Sequence, residues 1–232
     1  MKVYVEKNYD EVSKRAAEIV ADQVNKKKDS VLGLATGSSP IGLYDILVDK
    51  YNAGQLSFKD ITTVNLDEYV GLEGTNENSY RYFMNQHLFS KVDINIANTH
   101  VPNGIAEDGK EECSNYEKMI DSLGGVDMQV LGLGENGHIG FNEPGTSFDA
   151  TTHIVDLTES TIKANSRLFD NVDDVPKQAY SMGIKTIMSA KKIVLIVTGS
   201  QKADALAKVL NGPVSTEVPG SILQNQDRKS VV

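Results

Sequence analysis

Short apolar runs alternate with amphipathic segments along most of the chain. The apolar runs predict buried strands at 3–5, 30–34, 61–65, 128–133, 151–155 and 193–197. Apolar residues at helical spacing predict helices at 10–28, 41–48, 78–89, 108–123, 158–169 and from 202 to 210. The segment 219–232 is typical of a short helix followed by a strand at 229–232.

This alternation of strands and helices predicts the α/β class. We expect a doubly wound, mostly parallel, Rossmann-like sheet with helices on both faces. No repeat, linker or low-complexity stretch divides the 232 residues, so 1–232 is predicted to form a single domain.

Composition narrows the class of partner. The net charge of −9 argues against nucleic-acid binding, and no apolar run is long enough to cross a bilayer. Because Met1–Glu6 lacks a hydrophobic signal core and Cys113 is the single cysteine, we expect a cytoplasmic protein without an internal disulfide. A small molecule is therefore the expected partner.

The segment 130–145 concentrates the candidate chemistry. It follows the predicted strand 128–133 and reads V-L-G-L-G-E-N-G-H-I-G-F-N-E-P-G. The carboxyl ends of parallel strands are where open α/β sheets bind ligands. Asn136, His138 and Glu143 bring an amide, an imidazole and a carboxylate to this edge. The alternative is a turn in which these side chains only cap the backbone.

A small polar loop after the strand 30–34 indicates an anion site. Thr36, Gly37 and Ser38 precede Pro40 and a predicted helix, whose first N–H groups can bind a phosphate. No lysine follows the glycine as in a Walker A loop, so nucleoside triphosphate chemistry is not expected. A plain helix N-cap is the competing interpretation.

Two further strand ends carry charged residues. Asp67 and Glu68 follow the strand 61–65 and are candidates for a general base, although acidic residues there often only cap or face solvent. Lys202 begins the helix after the strand 193–197, against the usual dipole preference for cations at the C-terminus. It is either functional or an ordinary surface lysine. Arg167 falls in the last turn of the predicted helix 158–169.

Neither a metal nor a dinucleotide is expected. His87, His100, His138 and His153 lack metal-ligand spacing, and no Gly-x-Gly-x-x-Gly opens the first βα turn.

Five motifs together resemble the glucosamine-6-phosphate deaminase family. They are LATGSSPIGLY at 34–44, NLDEYVGL at 65–72, LGLGENGHIGFNEPG at 131–145, ANSRLFD at 164–170 and TGSQKA at 198–203. The resemblance implies a Rossmann-like enzyme without a metal or organic cofactor. It implies conversion of D-glucosamine 6-phosphate and water to D-fructose 6-phosphate and ammonia.

The resemblance also implies roles for individual residues. Asp67 matches the base that deprotonates C2, and His138 matches the group that opens the sugar ring, oriented by Glu143 and Asn136. The residues that match the family's phosphate and sugar contacts are Thr36, Gly37, Ser38, Arg167 and Lys202.

The chain departs from the family pattern at two places. Many members carry an aspartate where this chain has Asn136, and the amide is expected to orient His138 while Glu143 supplies the charge. Regulated hexameric members have an arginine and a lysine where this chain has His153, Ile154 and Val155. We therefore expect an unregulated monomer or a weak homo-oligomer.

Two rival functions follow from the same scaffold. A 6-phosphogluconolactonase-type hydrolase has a similar Gly-His turn but does not need the carbon base Asp67. A non-catalytic sugar-phosphate sensor would carry a DNA-binding helix-turn-helix, for which the sequence shows no basic extension.

Overall fold

A seven-stranded parallel sheet forms the centre of the computed structural model, which describes residues 2–159, 162, 169, 175–226 and 229–232. The strands are β1 (Lys2–Val3), β2 (Val31–Leu34), β3 (Thr62–Asn65), β4 (Asp67–Tyr69), β5 (Thr99–His100), β6 (Met128–Gly132), β7 (His153–Asp156), β8 (Gln178–Ser181), β9 (Ile193–Ile196) and β10 (Lys229–Val231). The α-helices are α1 (Tyr9–Lys26), α2 (Ile41–Asn52), α3 (Tyr80–His87), α4 (Gly109–Ser122), α5 (Ile184–Met188) and α6 (Ala203–Asn211). The segment Pro219–Asn225 is a 3-10 helix.

The parallel sheet has the order β1-β10-β9-β6-β2-β3-β5. From β2 the chain proceeds to β3 and β5 on one side and then returns to β6 on the other, so the direction of winding changes next to β2. Ligands bind at such switch points, outside the carboxyl ends of the strands. The predicted doubly wound, mostly parallel α/β fold is confirmed.

Local sequence explains the central elements. Every residue of β9 is buried, as expected for a β-branched strand in the middle of a parallel sheet. Helix α1 begins after Asn8, whose side chain accepts the Glu11 N–H at 3.0 Å. On its apolar face, Ala16 and Val24 are fully buried. No helix in the described ranges combines the length and apolarity needed to cross a membrane.

A second sheet, antiparallel with the order β4-β8-β7, was not predicted. The predicted strand 151–155 belongs to it as β7, and the acidic segment Asp67–Tyr69 forms β4. Strand β8 was not predicted because Gln178–Ser181 lacks a clear apolar pattern. In α3, Met84 is fully buried, whereas Tyr82 and Phe83 are half-buried. Most of the predicted helix 158–169 lies outside the described residues.

Asp127 joins several elements at the amino ends of the strands. Its carboxylate accepts the Val31 N–H at 2.9 Å and lies 2.9 Å from Lys27 Nζ and 2.8 Å from Lys191 Nζ. Burial raises the pKa of Asp127, but the hydrogen bonds from Lys191, Val31 and Lys27 outweigh it and lower the pKa overall. This cluster lies at the edge opposite the carboxyl ends and serves stability.

Candidate active site

A cavity of about 370 Å³ opens at the carboxyl ends of β2, β3 and β6. Its lining comes from 35–39 after β2, 66–67 after β3 and parts of 132–141 after β6, with Tyr80 and Lys202 completing it. The cavity therefore sits at the switch point of the sheet, where three loops meet.

The loop after β2 forms one wall of this cavity. Gly37 has a φ of +87°, a left-handed conformation that glycine adopts without steric cost. Thr36 and Ser38 line the cavity on either side of it. Helix α2 starts at Ile41, and Pro40 at its N-cap makes no side-chain hydrogen bond to the helix. Polar backbone and hydroxyl donors thus face the cavity near the positive end of a helix dipole.

Asp67 brings a buried carboxyl group to the cavity. Only 7% of the residue is exposed, and its Oδ1 atom has no hydrogen-bond partner among the described residues. Burial, followed by the charge of Glu68, raises the pKa of Asp67 to about 8. A carboxyl group with a raised pKa at a cavity wall is suited to accept a proton from a bound molecule.

Glu68, the second acidic candidate, is not a lining residue of this cavity. Successive side chains of a strand point to opposite faces, and the Glu68 carboxylate accepts the backbone N–H groups of Tyr69, Tyr80 and Arg81 at 2.8, 2.9 and 2.9 Å. It anchors the start of α3. Of the two adjacent carboxylates, only Asp67 is positioned for chemistry in the cavity.

The loop after β6 orients His138 through two polar neighbours. Asn136 Oδ1 accepts the His138 backbone N–H at 3.1 Å, and Asn136 Nδ2 donates to Glu143 Oε2 at 2.5 Å. Glu143 Oε1 lies 3.2 Å from His138 Nδ1. Burial raises the pKa of Glu143, but the contacts with His138 and Asn136 outweigh it and lower the pKa. The imidazole therefore has an ionised carboxylate beside its Nδ1 atom.

Gly134 allows the imidazole to lie against the backbone. A Cβ atom at this position would be 2.3 Å from His138 Nε2 and Cε1. Only glycine is compatible with this ring position, which explains its presence four residues before the histidine.

Lys202 supplies a cation to the cavity. Burial lowers its pKa, and the charge of Glu135 acts in the opposite direction. Both residues line the cavity. A half-buried ammonium group beside backbone donors is a suitable partner for an anionic group.

Most of the predicted site residues meet in this one place. Those that line the cavity are Thr36, Gly37, Ser38, Asp67, His138 and Lys202. Asn136 and Glu143 contact His138 but are not themselves lining residues of the cavity. Arg167 lies outside the described residues.

Sequence reasoning missed the aromatic part of the wall. Tyr80 and Phe141 line the cavity, with ring centroids 6.3 Å apart and planes inclined by 14°. Tyr69 packs beside them, 4.7 Å from the Tyr80 ring. Phe141 stands inside the G-H-I-G-F-N-E-P motif and could have been considered, whereas Tyr80 gave no local signal.

The described ranges contain no group of three or more His, Cys, Asp or Glu side chains arranged to hold a metal ion. The residues that line the cavity offer a carboxyl group, an imidazole, an ammonium group and backbone donors.

Comparison with known proteins identifies the family. The family model described as glucosamine-6-phosphate isomerases/6-phosphogluconolactonase matches residues 5–232. The chain belongs to this family and is an enzyme. Within it, the chain is similar to curated glucosamine-6-phosphate deaminases, so the family resemblance seen in the five motifs is confirmed.

Two of these relatives illustrate the similarity. The deaminase of Lachnoclostridium phytofermentans is 56% identical over 97% of this chain and 95% of its own length. That of Geobacillus sp. is 51% identical over 100% of this chain and 92% of its own.

Solved structures give the same assignment of the fold. A monomeric glucosamine-6-phosphate deaminase matches with a TM-score of 0.97 and 48% identity, over 100% of this chain and 96% of that one. A 6-phosphogluconolactonase from Thermotoga maritima matches with a TM-score of 0.76 at 20% identity, over 99% and 97% of the two chains. The second likeness concerns the fold alone.

Proposed function

We propose that the chain converts D-glucosamine 6-phosphate and water to D-fructose 6-phosphate and ammonia in this cavity. The observation that carries the proposal is that Asp67, His138, Lys202 and the loop 36–39 line one cavity of about 370 Å³. A base, a proton-transfer group and an anion site are thus within reach of one hexose phosphate.

The phosphate is bound by the loop and by cations. Thr36, Gly37 and Ser38 offer backbone and hydroxyl donors, Lys202 supplies a positive charge, and Arg167 supplies a second. In a protein of net charge −9 this local field is needed to hold an anion. Binding energy from the phosphate aligns the reacting end of the sugar with the groups opposite.

His138 opens the pyranose ring. It transfers a proton from the C1 hydroxyl to the ring oxygen, which breaks the C1–O5 bond and gives the aldehyde. The ionised Glu143 beside Nδ1 stabilises the imidazolium form during this transfer. Asn136 is neutral, and its hydrogen bonds to Glu143 and to the His138 backbone fix the loop geometry.

Asp67 then removes the proton from C2. The electron pair forms a C1–C2 double bond and the aldehyde oxygen takes up a proton from water, which gives an enolamine with a hydroxyl on C1 and an amino group on C2. Protonation at C1 leaves an iminium group at C2, and water adds there and displaces ammonia to give the ketone. The raised pKa of Asp67 suits this role because a buried carboxylate is a stronger base than one in water.

The lactonase reaction is less well supported. It needs no carbon base, whereas here a buried carboxyl group without a described partner faces the cavity. We also propose a cytoplasmic enzyme that acts as a monomer, a proposal supported by the 48% identity to a monomeric deaminase.

Ammonium release from purified protein tests the proposal. Glucosamine 6-phosphate should yield equal amounts of ammonium and fructose 6-phosphate. Glucosamine, which lacks the phosphate, and N-acetylglucosamine 6-phosphate, which lacks the free amine, serve as controls and should give little or none. Absence of ammonium from glucosamine 6-phosphate, or hydrolysis of 6-phosphogluconolactone instead, would overturn the proposal.

A further inference from the structure

The hydroxyl of Tyr9 joins helix α1 to the loop that lines the cavity. It donates a hydrogen bond to the Ser38 carbonyl at 2.9 Å and accepts one from the Gly42 N–H at 2.9 Å. Tyr9 is the first residue of α1 and does not line the cavity. One hydroxyl group thus connects α1 both to the loop after β2 and to the first turn of α2.

The bond to Ser38 sets the orientation of a peptide group. In a planar trans peptide, the carbonyl of one residue and the N–H of the next point in opposite directions. The Ser38 carbonyl points to Tyr9 on α1, so the Ser39 N–H is directed away from Tyr9, and Ser39 is a lining residue of the cavity. Ser39 N–H donates to no group in the part of the chain that the structure describes.

The hydrogen bond from the Gly42 N–H to the Tyr9 hydroxyl occupies a donor that could otherwise bind an anion. The first N–H groups of a helix have no intrahelical partner, and the Gly42 N–H at the start of α2 is satisfied by Tyr9. Tyr9 therefore occupies one N–H group of the first turn of α2, while it holds the loop before α2 through the Ser38 carbonyl.

Helix α1 packs directly against the start of α2 beside Tyr9. A Cβ atom at Gly42 would lie 2.4 Å from Ser13 Oγ and 3.0 Å from Tyr9 Cε1, so α1 and the start of α2 are in direct contact. Ser13 is buried on the adjacent turn of α1. Tyr9 itself is 38% exposed, so its hydroxyl is held in place by its two hydrogen bonds beside this contact between the helices.

We propose that Tyr9 is a positioning residue for the phosphate of the substrate: its hydroxyl holds the Ser38–Ser39 peptide with the N–H toward the anion. This inference rests on the proposed function, in which the loop 36–39 binds phosphate. Tyr9 does not touch the reacting atoms, so its effect falls on substrate binding rather than on the chemical step.

The variant Tyr9→Phe removes only the hydroxyl group. We expect KM for glucosamine 6-phosphate to rise about threefold to tenfold, the range for losing one or two hydrogen bonds, with kcat nearly unchanged. The inhibition constant of inorganic phosphate should rise by the same factor. Tyr51→Phe on α2 is the matched control, because the Tyr51 hydroxyl makes no hydrogen bond to any described residue.

The outcomes separate this inference from the proposed function. If wild-type protein releases ammonium but Tyr9→Phe keeps the wild-type KM and phosphate inhibition, the role of Tyr9 is refuted while the function stands. A fall in kcat alone, or equal effects in Tyr51→Phe, would also refute it. If wild-type protein releases no ammonium, phosphate binding measured by calorimetry still tests Tyr9, with weaker binding expected in the variant.

Discussion

Ser181 lies directly opposite Asp67 in the antiparallel pairing of β4 and β8, and its hydroxyl accepts the Phe141 N–H at 3.1 Å. The strand that pairs with the proposed base therefore also holds the loop of His138. A second link is made by Asn142 Nδ2, which donates to the Met182 carbonyl at 2.9 Å. The small antiparallel sheet fixes the distance between the two halves of the site.

The variant Ser181→Ala tests this connection. It leaves the buried Phe141 N–H without its acceptor, which should cost about 1 to 3 kcal/mol in the free energy of unfolding. Because the His138 loop shifts relative to Asp67, we expect kcat to fall roughly tenfold. Chemical denaturation and steady-state kinetics measure the two effects. Ser122→Ala, where an exposed hydroxyl contacts the Met119 carbonyl, should change neither. Loss of stability without loss of kcat would show that the loop position does not depend on Ser181.

Gly134→Ala is expected to displace the imidazole. The added Cβ would lie 2.3 Å from two atoms of the His138 ring, so the ring must rotate away from its position beside Glu143. We predict a fall in kcat of at least about tenfold, with phosphate inhibition preserved. Inhibition by inorganic phosphate is the internal control, since the added methyl group lies against the His138 ring. A Gly134→Ala variant with wild-type kcat would contradict the proposed role of the ring position.

The polar cluster around Asp127 should affect stability and not catalysis. Asp127→Asn removes one partner of two lysines at the amino ends of the strands, and we expect a loss of about 2 kcal/mol at neutral pH with unchanged kinetics. The pKa of Asp127 is lowered in the folded protein, so its contribution is present above the ordinary value of 3.8 and is lost as the pH falls through the lowered pKa. The difference between variant and wild type should therefore shrink in acid. Asp22→Asn, which breaks an exposed pair with Lys26, should change stability by less than about 0.5 kcal/mol. A pH-independent difference would contradict this account.

The Asp67 carboxylate should lower the stability of the folded protein as the pH rises, whereas the Asp127 carboxylate contributes stability. Its folded-state pKa of about 8 exceeds the ordinary 3.8, so the folded protein holds a proton that the unfolded chain releases, and stability falls as the pH rises from 3.8 to 8. Asp67→Asn should therefore be more stable than wild type at pH 8, by at least about 1 kcal/mol, and equally stable near pH 4. Melting temperatures across this range measure the difference. A variant less stable than wild type at pH 8 would contradict the raised pKa of Asp67.

The sequence predicted the chemistry of the site better than the contacts that hold it. Asp67, His138 and Lys202 were found because each follows a strand, and carboxyl ends of parallel strands meet at one edge. The strand-end pattern alone could not predict which of Asp67 and Glu68 faces the cavity, since that depends on the pairing of β4 with β8, and Asp67 was named only through the family resemblance. Nor could it predict the hydroxyl contacts of Tyr9 and Ser181, which span 29 and 40 positions of the chain. Such contacts depend on packing between elements and have no local pattern.

The most direct test of the central claim follows the hydrogen on C2 of the substrate. Glucosamine 6-phosphate labelled with deuterium at C2 is incubated with wild-type protein and with Asp67→Asn, and the label is monitored by NMR while binding is measured by calorimetry. The account predicts that deuterium leaves C2 with wild-type protein, whereas the variant binds the sugar and leaves the label in place. Loss of the C2 label at the wild-type rate in Asp67→Asn would contradict the assignment of Asp67 as the base.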